Sequence, residues 1–500
     1  MNCSPDSCSN ADAPAVPRWA SWVAAAVALG VVAGQLARLW PLDVHLRDDA
    51  FYYFAWARSL AAGQGPCVTD GVPTSGVHLA WAVLLSGIAA LAGVASLPPI
   101  AVVLGTGLHG VAAALIARAF QAPVRGAGAL AGLLYLGSAP LTNEAMNGQE
   151  TALANVALAG LCAVHRRGTW WFLGGTMLVA AARSDLLLFA LALALAVPGA
   201  RLRRMFAFAV AIGCYALWNV WLAGTPLQDS AAPIPWLMAQ ERAAAGEPWV
   251  DGLCARALPT LLGTRFRTWS TPLAAAWLLA AWFGFRRGDR ELAWLLAGGL
   301  GLVVVHDLWR AYPRDYYFAP LAVGGALGLI RLFAHAPRLA FGVAALALLW
   351  NIRHAADPPR LHGAQREMTM AGRLLDRFVP PGDRVGCFNA GIVTWLRPGQ
   401  VVNLDGVVNR AAFDSLRKSE LARYLAEHRV AWIADNPVQL AHRGVHSCGR
   451  YFGAAFSPQD LVEVARFVWP GDPGRGWRRA GTEWLGLYAR DGHRSMLAAT

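Results

Sequence analysis

The chain has 500 residues, 56% hydrophobic and only 15% charged, with a net charge of +12. Soluble globular proteins carry about 25% charged residues, and a mean hydropathy of +0.38 adds to the case against a soluble protein. The positive charge gathers in short clusters between apolar runs, such as His165-Arg166-Arg167, Arg201 to Arg204 and Arg286-Arg287. That is the signature of cytoplasmic loops, so the basic excess does not point to a nucleic-acid partner.

In chain order, apolar segments fall near 19–40, 77–95, 98–120, 126–142, 150–165, 169–182, 184–199, 205–223, 271–285, 291–309, 316–334 and 338–353. Each approaches the length needed to cross a bilayer. They predict an α-helical polytopic membrane protein with about 11–13 transmembrane helices. Residues 1–18 read as a cytoplasmic tail and 19–355 as the membrane domain. The first segment lacks a convincing small-residue cleavage site and reads as an anchor. With 166–168, 200–204, 286–290 and 331–338 in the cytoplasm, residues 143–149, 183–185, 224–270 and 306–315 face the other side. An amino terminus in the cytoplasm puts the loop 41–75 outside. Twelve full crossings would then return the carboxyl terminus to the cytoplasm, against the charge pattern. One segment between 76 and 142 must therefore be mis-split or re-entrant, and 77–95 is the candidate. The abundance of Arg and Ala suggests a bacterial source, so the expected location is the inner (plasma) membrane.

Residues 360–500 change character and read as an extracytoplasmic α/β domain. Arg384–Asn389 and Val401–Leu404 are predicted strands, Phe413–His428 a helix, Val430–Ala434 a strand and Thr482–Tyr488 a late strand. The alternation suggests a parallel sheet. Cys387 and Cys448 both fall here, and an oxidising compartment would permit them to pair. No CxxC spacing marks a zinc site.

The strongest chemical signal follows the first span: Arg47-Asp48-Asp49-Ala50-Phe51-Tyr52-Tyr53-Phe54-Ala55-Trp56-Ala57-Arg58. Two carboxylates open a short helix rich in aromatics, a composition suited to the bilayer interface. One Asp can serve as an N-cap. A cap uses only one carboxylate, which leaves the other free to reach a substrate. Glu150 opens a later span at the same face, either as a helix-start acid or as a second functional acid. Asp185 can pair with Arg183 two residues away. His306-Asp307 and Arg310-x-x-x-Arg314-Asp315-Tyr316-Tyr317 cluster before another span, with the tyrosines read as an interface belt. His78 lies at the start of a segment and suits packing or a helix contact. Residues 105–110 spell GxGxxG inside an apolar run, without the strand that a dinucleotide site requires. Close helix packing explains them better. Asn403-Leu404-Asp405-Gly406 reads as a strand and turn, or as a contact to an acceptor.

The stretch from Asp48-Asp49 to Tyr53, Gly63-x-Gly65 and Pro73-Thr74-Ser75-Gly76-Val77-His78 resembles the first external loop of GT-C membrane glycosyltransferases. That group includes protein O-mannosyltransferases, lipid A aminoarabinose transferases and arabinosyltransferases. The resemblance continues in order at Asn147-Gly148-Gln149-Glu150, Arg183-Ser184-Asp185 and Trp218-Asn219 through Gly224-Thr225-Pro226 to Ser230. It resumes at Asn389-Ala390-Gly391-Ile392 and Asn403 to Asn409. Relatives often have Met at Gln149 and Asn at Ser75, and neither change removes a charge.

The resemblance implies transfer of a sugar from a polyprenyl-phosphate donor to a glycan, lipid or protein acceptor of the cell envelope. Such transfer needs a base for the acceptor hydroxyl and cations for the leaving phosphate. The expected base is Asp48, with Asp49 orienting or assisting, and the reaction inverts the anomeric centre. Glu150, Asn147 and His78 are expected on the acceptor side. Arg183, Arg310, Arg314 and Arg58 are expected at the donor phosphate. Tyr52, Tyr53, Asp185, Asn219 and Ser230 are expected to line the site. The resemblance implies no definite cofactor, since some relatives use a divalent cation and others do not; Asp48, Asp49 and Glu150 could offer it oxygen ligands. The competing reading is a polytopic transporter or lipid-carrier flippase without transferase activity.

Overall fold

The computed structural model describes residues 15–490 except 41, 43–44, 70, 120–123, 245–258, 263–269, 309–313, 358–362, 441–447, 454–460 and 469–483. Most of the expected tail 1–18, Arg310, and the start of the strand expected at Thr482 lie outside the described residues.

The membrane domain contains α1 (Arg18–Arg38), α2 (Asp48–Ala61), α3 (Leu79–Ala92), α4 (Leu97–Ala119), α5 (Ala127–Leu136), α6 (Ala139–Ala145), α7 (Thr151–Val164), α8 (Thr169–Ala182), α9 (Leu187–Ala196), α10 (Arg201–Ala223), α11 (Pro233–Ala244), α12 (Thr271–Arg287), α13 (Arg290–Leu308), α14 (Leu321–His335) and α15 (Pro337–His354). Among the described residues three stretches are long and apolar enough to cross a membrane alone: Arg18–Arg38, Val94–Ala119 and Pro198–Ala223. A 14-residue helix spans only about 21 Å, so passes such as α7 and α8 rely on their flanking turns to extend their reach.

Contacts sort the helix ends into two sets. At one end, the Val16 amide bonds the Arg125 carbonyl at 2.8 Å, and His165 and Arg166 of the α7–α8 turn meet Glu291 at the start of α13 at 3.0 and 2.6 Å. At the other end, Gln35 and Arg38 of α1 bond the carbonyls of Asp357 and Ala356 just past α15 at 2.7 and 3.0 Å. Among the described residues the bundle then makes eleven passes: α1, α4, the α5–α6 pair, α7, α8, α9, α10, α12, α13, α14 and α15. The segment expected at 126–142 is a single pass broken in two, since Ser138 interrupts it and Pro140 restarts the helix.

Helix α3 is the exception. Its first turn lies beside α2, where His78 and Tyr53 meet at 3.3 Å. Its last residue leads directly into α4, whose Gly105 sits against the Ala145 carbonyl at the same end. Both ends of α3 are thus on one side. This removes the odd crossing that the charge pattern did not allow.

The carboxyl-terminal domain holds a five-stranded sheet of order β2-β1-β3-β5-β4, with β1 (Arg384–Cys387), β2 (Val401–Asn403), β3 (Val430–Asp435), β4 (Leu461–Val468) and β5 (Trp484–Arg490). Strands β2, β1 and β3 are parallel, whereas β5 and β4 run antiparallel. The sheet is therefore mixed rather than parallel, and β4 was not anticipated. The helix expected at 413–428 is two helices, α18 (Arg410–Lys418) and α19 (Leu421–Glu427), broken where Ser419 takes a left-handed conformation at φ 57°. Helices α16 (Gly363–Leu374) and α17 (Gly391–Leu396) complete the part that meets the bundle. Cys387 and Cys448 are both buried and are not joined by a disulfide among the described residues.

Candidate functional site

Helix α2 is the centre of the site. Arg47 precedes it in an extended conformation and makes no side-chain cap. Asp48 and Asp49 occupy its first turn, where carboxylates are favoured by the helix dipole. Phe51, Tyr52, Tyr53, Phe54 and Trp56 point in all directions, and none is more than 5% exposed. A helix apolar on every side must be buried on every side. The expected half-wet interfacial helix is thus corrected: α2 is sandwiched between the bundle and the carboxyl-terminal domain.

The two acids face different partners. Asp48 caps another helix across the domain boundary. Its Oδ1 accepts the Ile392 amide at 2.7 Å and its Oδ2 accepts the Gly391 amide at 3.3 Å. One turn on, Tyr52 Oη accepts the Ala390 amide at 3.0 Å and the Asn403 side-chain amide at 3.3 Å. At the far end of α2, Arg58 donates to the carbonyls of Trp395 and Thr394 at 2.9 and 3.2 Å and stacks on the Trp395 ring at 5.2 Å. Helix α17 is therefore held at its amide end by an acid and at its carbonyl end by a base. Arg58, expected at a phosphate, serves this clamp.

Asp49 faces the bundle. Its Oδ2 accepts Tyr316 Oη at 2.8 Å and Gln149 Nε2 at 3.2 Å. Tyr316 is buried and bonded to the acid, so it is not part of an interface belt as expected. Arg47 lies over the Tyr316 ring at 4.7 Å and donates to both oxygens of Glu144 at 2.9 and 3.0 Å. Arg314 is exposed. Desolvation works against its charge, but Tyr316, Asp49, Tyr317 and Asp48 together outweigh it and raise the guanidinium above its ordinary value.

A second group lies beside the first. Glu150 stands at the N-cap position of α7 without capping it. Its Oε2 accepts Tyr53 Oη at 2.7 Å, and its Oε1 is 3.7 Å from His78 Nε2. Asn147 ties Glu144 to Gln149 at 3.0 and 3.1 Å. Gly148, at φ 82°, makes the turn that brings them together. Arg183 is 1% exposed; it donates to the Tyr316 and Tyr317 carbonyls at 2.7 and 3.1 Å and to Asp185 at 2.8 Å. Asp185 also meets His306 at 2.8 Å. Arg183 and Asp185, expected at the phosphate and in the site lining, thus hold the 316–317 backbone in place. Asn219 bonds the carbonyls of Tyr215 and Pro226 and shapes its own loop. Ser230 is half-buried in the turn 229–231, where its neighbour Asp229 makes the contact to the first loop.

Sequence reasoning missed three acids, Glu144, Asp229 and Asp435, and read a fourth, Asp405, only as part of a turn or a contact to an acceptor. Glu144 pairs with Arg47. Asp229 accepts Thr74 Oγ1 at 2.9 Å and the Ser75 amide at 3.1 Å, joining the loop after α10 to the Thr74-Ser75 turn. Asp405 accepts the Val407 amide at 2.8 Å, and burial, with the charges of Asp48 and Asp49 nearby, pushes it up to about 7. Asp435 accepts the amides of Phe388 and Asn389, which orients the loop that Asp48 grips. Only its position next to Ser230 could have marked Asp229. Burial pushes Asp48 itself up to about 7 despite its two amide donors, with the Asp49 charge adding to the effect. Among the described residues no three His, Cys, Asp or Glu side chains converge as metal ligands. Asp48 and Glu150, whose oxygens are of the kind that could ligate a cation, bond Gly391 and Ile392 in one case and Tyr53 in the other.

A sequence-family model described as a domain of unknown function (DUF8728) matches residues 351–488. No curated protein matches the sequence. Among solved structures the chain is similar to the archaeal oligosaccharyltransferase AglB from Archaeoglobus fulgidus in complex with an inhibitory peptide and a dolichol-phosphate. The identity is 12% and the TM-score 0.48, over 84% of this chain and 70% of that one. It is also similar to ArnT from Cupriavidus metallidurans in the apo state, at 15% identity and TM-score 0.40 over 87% and 85% of the two chains. A third similarity is to the arabinofuranosyltransferase AftD from Mycobacteria, at 17% identity and TM-score 0.40 over 96% of this chain and 40% of that one.

Proposed function

We propose that the chain is a membrane glycosyltransferase that moves a sugar from a polyprenyl-phosphate donor to an acceptor hydroxyl, with inversion. The observation that carries this reading is the division of the acid pair at the junction of the two domains. Asp48 faces the carboxyl-terminal domain with Asp405 nearby, and Asp49 faces the bundle with Tyr316 and Arg314. An acceptor can thus approach from one side and a lipid-linked donor from the other. The basic clusters gather at the far end of the bundle, which under the positive-inside rule supports an extracytoplasmic junction.

Asp48 is the better proton acceptor, because burial brings it near neutrality, where a general base works best. Its contact to Gly391 is long, which leaves a lone pair for the acceptor hydroxyl. As that proton moves to Asp48, the acceptor oxygen attacks the anomeric carbon opposite the phosphate. The bond from carbon to phosphate oxygen breaks, and polyprenyl phosphate leaves. Arg314 steadies the charge that grows on it, and Asp49 holds Tyr316 and Gln149 in register. The acceptor classes are an envelope glycan, lipid or protein.

The cap on α17 favours a second reading, in which Asp48 only docks the domain and Asp49 is the base. Asparagine separates the two, since its carbonyl oxygen can still cap a helix. Radiolabelled polyprenyl-phosphate sugars should be turned over by the purified protein, and Asp48→Asn should lower kcat by about 100-fold or more. Unchanged kcat in Asp48→Asn with loss in Asp49→Asn would transfer the role of base to Asp49. Movement of the labelled lipid across vesicles without any transfer would reject the enzyme in favour of a flippase.

A further inference from the structure

At the end of the bundle away from the acid pair, a groove of about 510 Å³ runs between α7 and α8, within the usual size range of ligand clefts. Its walls include Gly160, Leu161, Val164, Trp170, Trp171 and Gly174, and every residue that lines it is apolar or glycine. It opens outward: Trp170 is 83% exposed and Trp171 58%. Two exposed tryptophans beside an apolar cleft, at the turn between two membrane passes, mark the level of lipid headgroups.

The mouth of the groove is cationic. Arg166 is committed to Glu291 by two bonds, at 2.6 and 2.7 Å. Arg167, next to it, is exposed, makes no ion pair among the described residues, and has its guanidinium 6.0 Å from the Trp171 ring centre. Arg204 bonds the His165 carbonyl, which brings the start of α10, with Arg201 and Arg203 both exposed, against the same turn. The acid that meets this turn, Glu291, is already surrounded by His165, Arg166 and Arg331. An apolar slot topped by uncompensated arginines complements one kind of membrane component.

We infer that this groove binds a phospholipid with an anionic headgroup, its acyl chain lying between α7 and α8 and its phosphate against Arg167. The site is separate from the acid pair and does not depend on the enzymatic reading. An anionic lipid satisfies the cations, and its chain covers tryptophan and leucine surface that a soluble anion would leave bare.

The test uses the full chain in detergent, titrated with phosphatidylglycerol or phosphatidylcholine and read by native mass spectrometry and thermal stability. Phosphatidylglycerol should bind saturably and stabilise the protein more than phosphatidylcholine. Arg167→Ala should weaken phosphatidylglycerol binding about fivefold and leave phosphatidylcholine unaffected. A side chain at Gly174 meets open space, so Gly174→Leu fills the groove without a clash and should weaken both lipids. Equal binding of the two lipids by the native protein, or no effect of Arg167→Ala, would overturn the headgroup assignment. Undiminished binding in Gly174→Leu would overturn the groove as the place of the chain.

Discussion

At the junction, single carboxylates are tuned by burial more than by their neighbours. Asp48 and Asp405 are both pushed up to about 7 and Asp435 to about 6, in each case chiefly because desolvation penalises the charged form. An exposed aspartate ionises near pH 4. When the domains are docked these groups hold protons that the undocked chain would release, so docking strengthens as pH falls through the window between those values. The melting temperature of the carboxyl-terminal domain, followed by tryptophan fluorescence, should therefore fall between about pH 4 and pH 7. Asp48→Asn combined with Asp405→Asn should flatten the profile. A native profile that rises over that range would contradict the sign.

The element that organises the site is α17, six residues long and too short to be stable alone. It persists because α2 supplies Asp48 at its amide end and Arg58 at its carbonyl end, each complementing the helix dipole. Arg58→Ala removes two charged hydrogen bonds and the stack on Trp395, and should cost about 2 kcal/mol of domain stability, read from denaturant unfolding in micelles. Gly391 is in contact with the Asp48 backbone carbonyl, with no room for a Cβ. Gly391→Ala should therefore push α17 off α2 and expose 388–392 to hydrogen exchange, while the bundle stays protected. Ordinary protection of that loop in the variant would show that the close approach is dispensable.

Across the whole molecule the two ends of the bundle are pinned differently. The junction end is held by many separate contacts around α2, including the ion pairs of Arg47 with Glu144 and Arg183 with Asp185. The other end is held by one acid network, in which Glu291 joins His165, Arg166 and Arg331, while Asp289 meets Arg331 and His335 at 3.6 and 3.5 Å. Glu291→Ala strands a buried histidine and two arginines. It should destabilise the bundle by about 3 kcal/mol without changing the contacts of Asp48. Thermal unfolding of that variant, with hydrogen exchange at 388–392 as the control, separates global from local loss.

Hydrophobic runs decided the membrane class and the largely helical fold, and arginine clusters the expectation of which loops share a side, because bilayer thickness and charge placement act on local stretches of chain. The acid pair was visible for the same reason: adjacent carboxylates ahead of an aromatic run are a local pattern. Tertiary structure alone decided what those acids face. That Asp48 caps α17 from 343 positions away, that Arg183 and Arg58 serve as struts, and that Asp405 joins the cluster are facts about distant segments meeting. The sheet shows the same division: β1, β2 and β3 announce themselves by local pattern, whereas the reversal at β5 and β4 comes from pairing. Spacing along a chain carries the preferences of each segment, but a hydrogen-bond partner is chosen only when folding buries both groups together and leaves each no water to turn to.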